Sequence, residues 1–159
     1  LNVVFESNMN VLTEAQLLVE ELVRQYSNPN AVSRATLMMI DIAGRQRMLT
    51  QKMSKESCFI ASGNSSGQTI DDLARTMEIF EASLQALRFG MPEVGILPPP
   101  SSEISAGLNG VWDDWNAVKP EVTDILLGST LDPERDASKF QGLNVTMANM
   151  NTVVGLYSQ

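Results

Sequence analysis

"IDIAGRQRMLTQKMSKE", Ile40–Glu56, decides how the rest of the chain is read. Its apolar residues recur at helical spacing, it is crowded with cations, and Gly44 sits in its interior. From Arg34 to Lys55 there are five cations (Arg34, Arg45, Arg47, Lys52, Lys55) against a single acid, Asp41, a local charge of +4. The whole chain carries −8, so everything outside this stretch carries −12. A cationic strip on an anionic protein concentrates potential locally and attracts small anions without making the protein bind polyanions in general.

On a helical wheel, where successive residues turn by about 100°, Ile42, Leu49 and Met53 point toward a bundle core. Ile40, Gly44, Arg47, Met48 and Gln51 fall on roughly the opposite side. A glycine inside a helix costs about 1 kcal/mol against alanine, and its usual compensation is close approach by another backbone or a ligand. A solvated charged face with a tolerated glycine is the plainer alternative, but Ile40 and Met48 are too apolar for a solvent stripe. The pattern fits a helix packed against a copy of itself. Arg47 of each copy would then lie near a twofold axis, where two like charges repel unless an anion sits between them.

Outward from this stretch, four segments carry apolar seams with alternating steps of three and four. Met39, Ile42, Gln46, Leu49, Met53 and Ile60 form the first, with Gln46 and Glu56 as polar interruptions. Ile70, Leu73, Met77, Phe80, Leu84 and Leu87 form the second. Ile104, Leu108, Val111, Trp115, Val118, Val122 and Ile125 form the third, with Pro120 expected to kink or split its helix near Lys119. Phe140, Leu143, Met147, Met150, Val154 and Tyr157 form the fourth. "SGNSSG" (Ser62–Gly67), the Pro/Gly-rich "FGMPEVGILPPPSS" (Phe89–Ser102) and "GSTLDP" (Gly128–Pro133) separate them, and Ser101 or Ser102 can cap the helix that follows. Strand-type alternation is absent. The expected fold is all-α: a four-helix bundle over residues 31–159, homodimeric, with an additional N-terminal helix within residues 1–30. "SNMNVL" (Ser7–Leu12) echoes "ANMNTV" (Ala148–Val153), which would make the N-terminal helix an extension or the tail of a preceding copy of the domain.

The 159 residues are 43% hydrophobic and 19% charged, a globular composition. There is no histidine, the commonest general base and metal ligand, and the lone cysteine, Cys58, reads as a small apolar filler. No apolar run approaches the ~20 residues of a membrane span. The chain begins at Leu1, so membrane attachment is expected only through segments outside it. The acidic balance argues against nucleic-acid binding. Trp112 and Trp115 could cage a cation, but packing explains them better. Asp113 and Asp114 diverge by about 100° on a helix. "DPERD" (Asp132–Asp136) reads as an acidic helix start rather than a calcium loop. No catalytic residues, metal or cofactor are expected, and an enzyme is disfavoured.

"IAGRQRMLTQKMSKE" closely resembles the signature helix of the PilJ-type sensor domain, the extracytoplasmic input module of pilus-linked and nitrate-responsive chemoreceptors. It is more distantly similar to the input domain of nitrate/nitrite sensor kinases, whose corresponding helix has a Gly-x-x-Arg-Met core; here that core is Gly44, Arg45, Gln46, Arg47 and Met48. The resemblance implies a periplasmic, dimerising helical bundle of an inner-membrane receptor that binds nitrate, nitrite or a similar oxyanion at the dimer interface. The arginine matching Arg47 would hold the ligand, with Ile40, Asp41, Gly44, Met48 and Gln51 around it. The family commonly has asparagine at the position of Asp41, and an acid there either points away or changes ligand preference. A module of the same fold that recognises an organic acid or a protein partner is the alternative.

Overall fold

The computed structural model describes residues 34–129 and 133–157, together with positions 11, 13–15, 17–19 and 21. By its internal contacts the chain divides into two units, 1–34 and 35–159. The described N-terminal positions are helical, and Val11, Leu17, Leu18 and Val19 among them are exposed. The Ser7–Leu12 echo lies outside the described residues apart from Val11.

The second unit is built from α1 (Arg34–Phe59), α2 (Gly67–Phe89), α3 (Ser102–Leu126) and α4 (Pro133–Tyr157), with no strand among the described residues. Local chemistry sets the boundaries. The last turn of α1 widens over Ile60–Asn64, and the chain then leaves the helix through Gly63 at φ 79°. Ser66 opens α2 with a reciprocal cap: its Oγ accepts from the Thr69 amide at 3.2 Å, and Thr69 Oγ1 accepts from the Ser66 amide at 2.8 Å. Between α2 and α3, Met91 and Ile96 pair as an isolated antiparallel bridge around a short 3-10 turn, Pro92–Val94. Gly90, at φ 81°, lies where a Cβ would come within 2.9 Å of the Pro98 ring, so only glycine closes this connection. Ser101 Oγ accepts from the Ile104 amide at 3.2 Å and starts α3.

Cross-helix pairs fix the topology. Gln46 meets Ser83 and Lys52 meets Thr76, so α1 and α2 are antiparallel. Trp115 meets Glu81 and Arg88 meets Asn109, which makes α2 and α3 antiparallel. Asp114 meets Asn149, placing α4 antiparallel to α3. The result is an up-down-up-down bundle. Every seam residue foreseen on α3 is buried, and so are Leu73, Met77, Phe80, Leu84 and Leu87 on α2. Trp115 is fully buried against Phe80, ring centroids 5.1 Å apart, while its indole N–H donates to Glu81 at 2.8 Å.

Three expectations need adjustment. Helix α3 runs unbroken through Pro120. Pro120 and Asn116 are both exposed, so the carbonyl that loses its helical partner faces water. On α1 the expected Met39, Gln46, Leu49 and Met53 are buried, joined by Ala43, Thr50, Glu56 and Ser57, while Ile42 is only half-buried. On α4, Thr146 and Val153 are buried while Met147 and Val154 are half-buried, a slip of about one position in the seam.

The α3–α4 contact is the tightest in the bundle because glycines let the backbones approach. A Cβ on Gly107 would lie 2.8 Å from Val153 Cγ2, and one on Gly142 would lie 2.9 Å from Val118 Cγ2. Valine is stiff at χ1 and yields poorly. Gly107→Ala should therefore lose more by overpacking, about 1–3 kcal/mol, than the ~1 kcal/mol it gains in helix propensity. Gly110→Ala on the same helix, where nothing described lies within 4 Å, should instead gain up to about 1 kcal/mol. Urea unfolding of the two variants checks the opposite signs.

Tyr157 ends the core with a buried hydroxyl that has no hydrogen-bond partner, and burial raises its pKa to about 12. Because the folded-state value lies above the ordinary 10.0, stability is intact below about pH 10 and falls as pH rises toward 12. Tyr157→Phe should leave stability at neutral pH unchanged or slightly higher and remove that alkaline loss, as read from melting temperatures across the two pH ranges.

Candidate functional site

Helix α1 carries two seams. The first is the buried line described above. The second runs Leu37, Ile40, Gly44, Arg47, Gln51, Ser54, Cys58, in steps of three and four, roughly a third of a turn round the helix. Leu37, Ile40, Gly44 and Ser54 are half-buried; Arg47, Gln51 and Cys58 are exposed. A Cβ at Gly44 would meet nothing within 4 Å among the described residues, so packing inside the chain does not demand a glycine there. The seam is open, and its centre is backbone flanked by Arg47.

The residues foreseen as a site separate into groups. Gly44, Arg47 and Gln51 share the open seam, and Gln51 Nε2 reaches across to Met147 Sδ on α4 at 3.2 Å. Ile40 and Met48 are not opposite the core: both are half-buried and packed against it at the flanks of α1. Asp41 is half-buried, and its carboxylate accepts from Arg45 Nε at 3.0 Å within α1.

The cations of α1 are sorted by these pairings. Arg45 is tied to Asp41. Lys52 Nζ donates to Glu56 Oε1 at 2.5 Å and to Thr76 Oγ1 at 2.6 Å. Lys55 is pushed below its ordinary pKa by burial, with Lys52 adding to the shift and Glu56 and Asp72 opposing it. Arg47 has no ion pair or side-chain hydrogen bond among the described residues and is exposed. Its planar guanidinium is thus the cation available to a planar oxyanion.

Beside the open seam lies a groove of about 400 Å³ between α1 and α4, lined by Thr50, Gln51, Ser54, Lys55, Cys58, Leu143, Asn144 and Met147. The sequence reading missed it, because the α4 wall comes from another part of the chain. It also took Cys58 for a filler; the residue is exposed on the groove rim, since position 58 continues the seam of Arg47 and Gln51 rather than the core line. The 3-4 spacing through Leu37, Ser54 and Cys58 was the signal that could have found this. Elsewhere, Arg88 covers the Trp112 ring at 4.8 Å, which leaves that face closed to a ligand cation. Asp114 accepts from Asn149 at 2.6 Å, apart from the exposed Asp113. Among the described residues no three His, Cys, Asp or Glu converge as a metal would need, and no helix is long and apolar enough to cross a membrane.

Comparison with known proteins adds two findings. The family model PilJ, described as the N-terminal part of type IV pili methyl-accepting chemotaxis transducers, matches residues 30–140. The structure is similar to that of the ligand-binding domain of the P. aeruginosa nitrate receptor McpN, with 26% identity and a TM-score of 0.67 over 80% of this chain and 97% of that one. No curated protein sequence matches the chain.

The two acid–base pairs on α1 should differ sharply in weight. The Arg45 and Asp41 side chains are 35% and 32% exposed, so Asp41→Ala should cost no more than about 0.5 kcal/mol. Glu56 is 1% exposed beside a Lys52 that is 16% exposed, and Glu56→Ala should cost about 3–5 kcal/mol by stranding a half-buried ammonium. Denaturant unfolding of both variants is the measurement.

Proposed function

The chain belongs to the PilJ family of N-terminal domains of type IV pili methyl-accepting chemotaxis transducers, and from that premise we propose that it is an extracytoplasmic sensor domain of a membrane receptor that binds a nitrate-like anion between two copies of α1. The observation that carries this reading is Arg47: exposed, without an ion pair, one turn from Gly44 on an open helical seam. The likeness to the ligand-binding domain of a nitrate receptor supports it.

Two copies of α1 meeting along this seam approach closely at Gly44, where no side chain intervenes. The two Arg47 guanidinium groups then face one another and repel. A planar monovalent oxyanion between them accepts from both forks. Each charge-assisted hydrogen bond contributes about 1.5–3 kcal/mol, a large share of the ~8 kcal/mol that a micromolar ligand requires. Ligand and dimer are thereby coupled: occupancy tightens the dimer, and dimerisation completes the site. In this role the domain senses and has no reaction to catalyse.

A second reading, an organic acid as ligand, draws on the α1–α4 groove. It is larger than nitrate needs and joins a cationic wall, Lys55, to an apolar one, Leu143 and Met147. Competition between nitrate and short carboxylates separates the two.

Calorimetry with nitrate should give one anion per two chains for the wild type. Arg47→Ala should lose more than about a hundredfold in affinity, because both arms are removed at once. Gly44→Leu should keep the monomer folded yet block both dimer and ligand, as read by sedimentation. Cys58 lies on the same seam, so mild oxidation should join two copies through it more readily when nitrate is present. Equal nitrate binding by wild type and Arg47→Ala, or one independent site per chain, overturns this function.

A further inference from the structure

Helix α1 carries more buried polar side-chain atoms without hydrogen-bond partners than the other helices do among the described residues. Between α3 and α4 the glycine-mediated approach brings Val153 and Val118 against the facing backbone, and between α2 and α3 the aromatic pair Phe80–Trp115 fills the core. Helix α1 adds Met39, Ala43, Leu49 and Met53 to the apolar core, and polar side chains also cross from it to α2. Gln46, fully buried, donates to Ser83 Oγ at 2.5 Å, and Lys52 bridges Glu56 and Thr76. This layer is incompletely satisfied. Four buried side-chain atoms of the described residues have no hydrogen-bond partner, and three of them, Gln46 Oε1, Glu56 Oε2 and Ser57 Oγ, belong to α1. Buried polar atoms without partners weaken the state that contains them.

The layer nevertheless restricts which way α1 can move. Thr76 and Ser83 are two turns apart on α2, and the positions about one turn from them, Leu73, Phe80 and Leu87, are buried and apolar. Sliding α1 by a whole turn would set Gln46 and Lys52 against these side chains, so the register is pinned, as a single buried polar residue pins a coiled coil at a cost in stability. Small tilts or rotations within that register exchange one imperfect set of polar contacts for another.

We propose that α1 is the movable element of this sensor, seated on a rigid α2–α3–α4 platform by a deliberately weak polar layer, Gln46–Ser83 and Lys52–Glu56–Thr76. This inference rests on the proposed anion site, because Arg47 is the residue next to Gln46 on the same helix. An anion drawing two Arg47 side chains together pulls directly on α1, and the element with the weakest internal attachment responds.

Hydrogen exchange of the unliganded wild type tests this. Mid-helix amides of α1 should exchange at least about tenfold faster than those of α2, α3 and α4, and nitrate should slow α1 selectively. In Gln46→Leu combined with Ser83→Ala, which leaves Arg47 untouched, α1 should exchange close to the platform rate without ligand, and the additional slowing by nitrate should shrink. The wild-type comparison stands even where the double variant does not fold. Uniform exchange across all four helices in the wild type, or an α1 as fast in the folded double variant as in the wild type, overturns the inference. Absence of nitrate binding to the wild type by calorimetry would instead overturn the anion site, with the exchange contrast between α1 and the platform read independently of it.

Discussion

A helix turns about 100° per residue, and the two lines of side chains that this sets on α1 organise the domain. Helix α1 must bury one line of side chains in the bundle and leave a second line open. The buried face of α1 is partly polar, through Gln46, Thr50, Glu56 and Ser57, and Glu56 there anchors a cation. Glu56 and Thr76 hold Lys52, and Asp41 holds Arg45. These pairings occupy Lys52 and Arg45, while Arg47 is exposed with no ion pair among the described residues. Selectivity in such an arrangement comes as much from charges that are neutralised as from the one that is presented.

The remaining helices can be simple because α1 is not. Helix α3 buries seven seam residues at regular spacing, and α2 and α4 close around it with an aromatic pair and two glycine contacts. That platform is conventional bundle packing. Membership of the PilJ family and the likeness to the ligand-binding domain of a nitrate receptor agree with this helical architecture.

Much of this was legible in the sequence. The α3 seam could be read residue by residue, since every position is apolar and the period is unbroken, and the α2 seam from Leu73 on, Ile70 being only half-buried. The α1 seam was read less well: small and polar residues, Ala43, Thr50 and Ser57, are buried there, and a hydrophobicity pattern does not register them. The wheel placed Ile40 and Met48 opposite the core because it contains one helix and no neighbours; in the bundle, flanking helices cover the sides of α1 as well. Arg47 was singled out by charge and by family resemblance, but its freedom was not visible, since that depends on where Asp41, Glu56 and Thr76 point. The groove between α1 and α4 was beyond reach, because it is made by residues some ninety positions apart, such as Gln51 and Met147.

That groove also bears on how the domain folds. In an up-down-up-down bundle each helix packs on its chain neighbour, so the α1–α2, α2–α3 and α3–α4 contacts close smaller loops than an α1–α4 contact does, at lower entropic cost. The α1–α4 contact alone joins the two ends of the domain and has the longest sequence separation. Contacts of that kind form late, after the local ones have made a surface to receive them. The lining of the groove is therefore the last part of the bundle to be assembled and the first exposed when the chain begins to unfold. A ligand or second copy that bridges this edge would slow unfolding more than it speeds folding, lengthening the lifetime of the folded sensor through the unfolding rate.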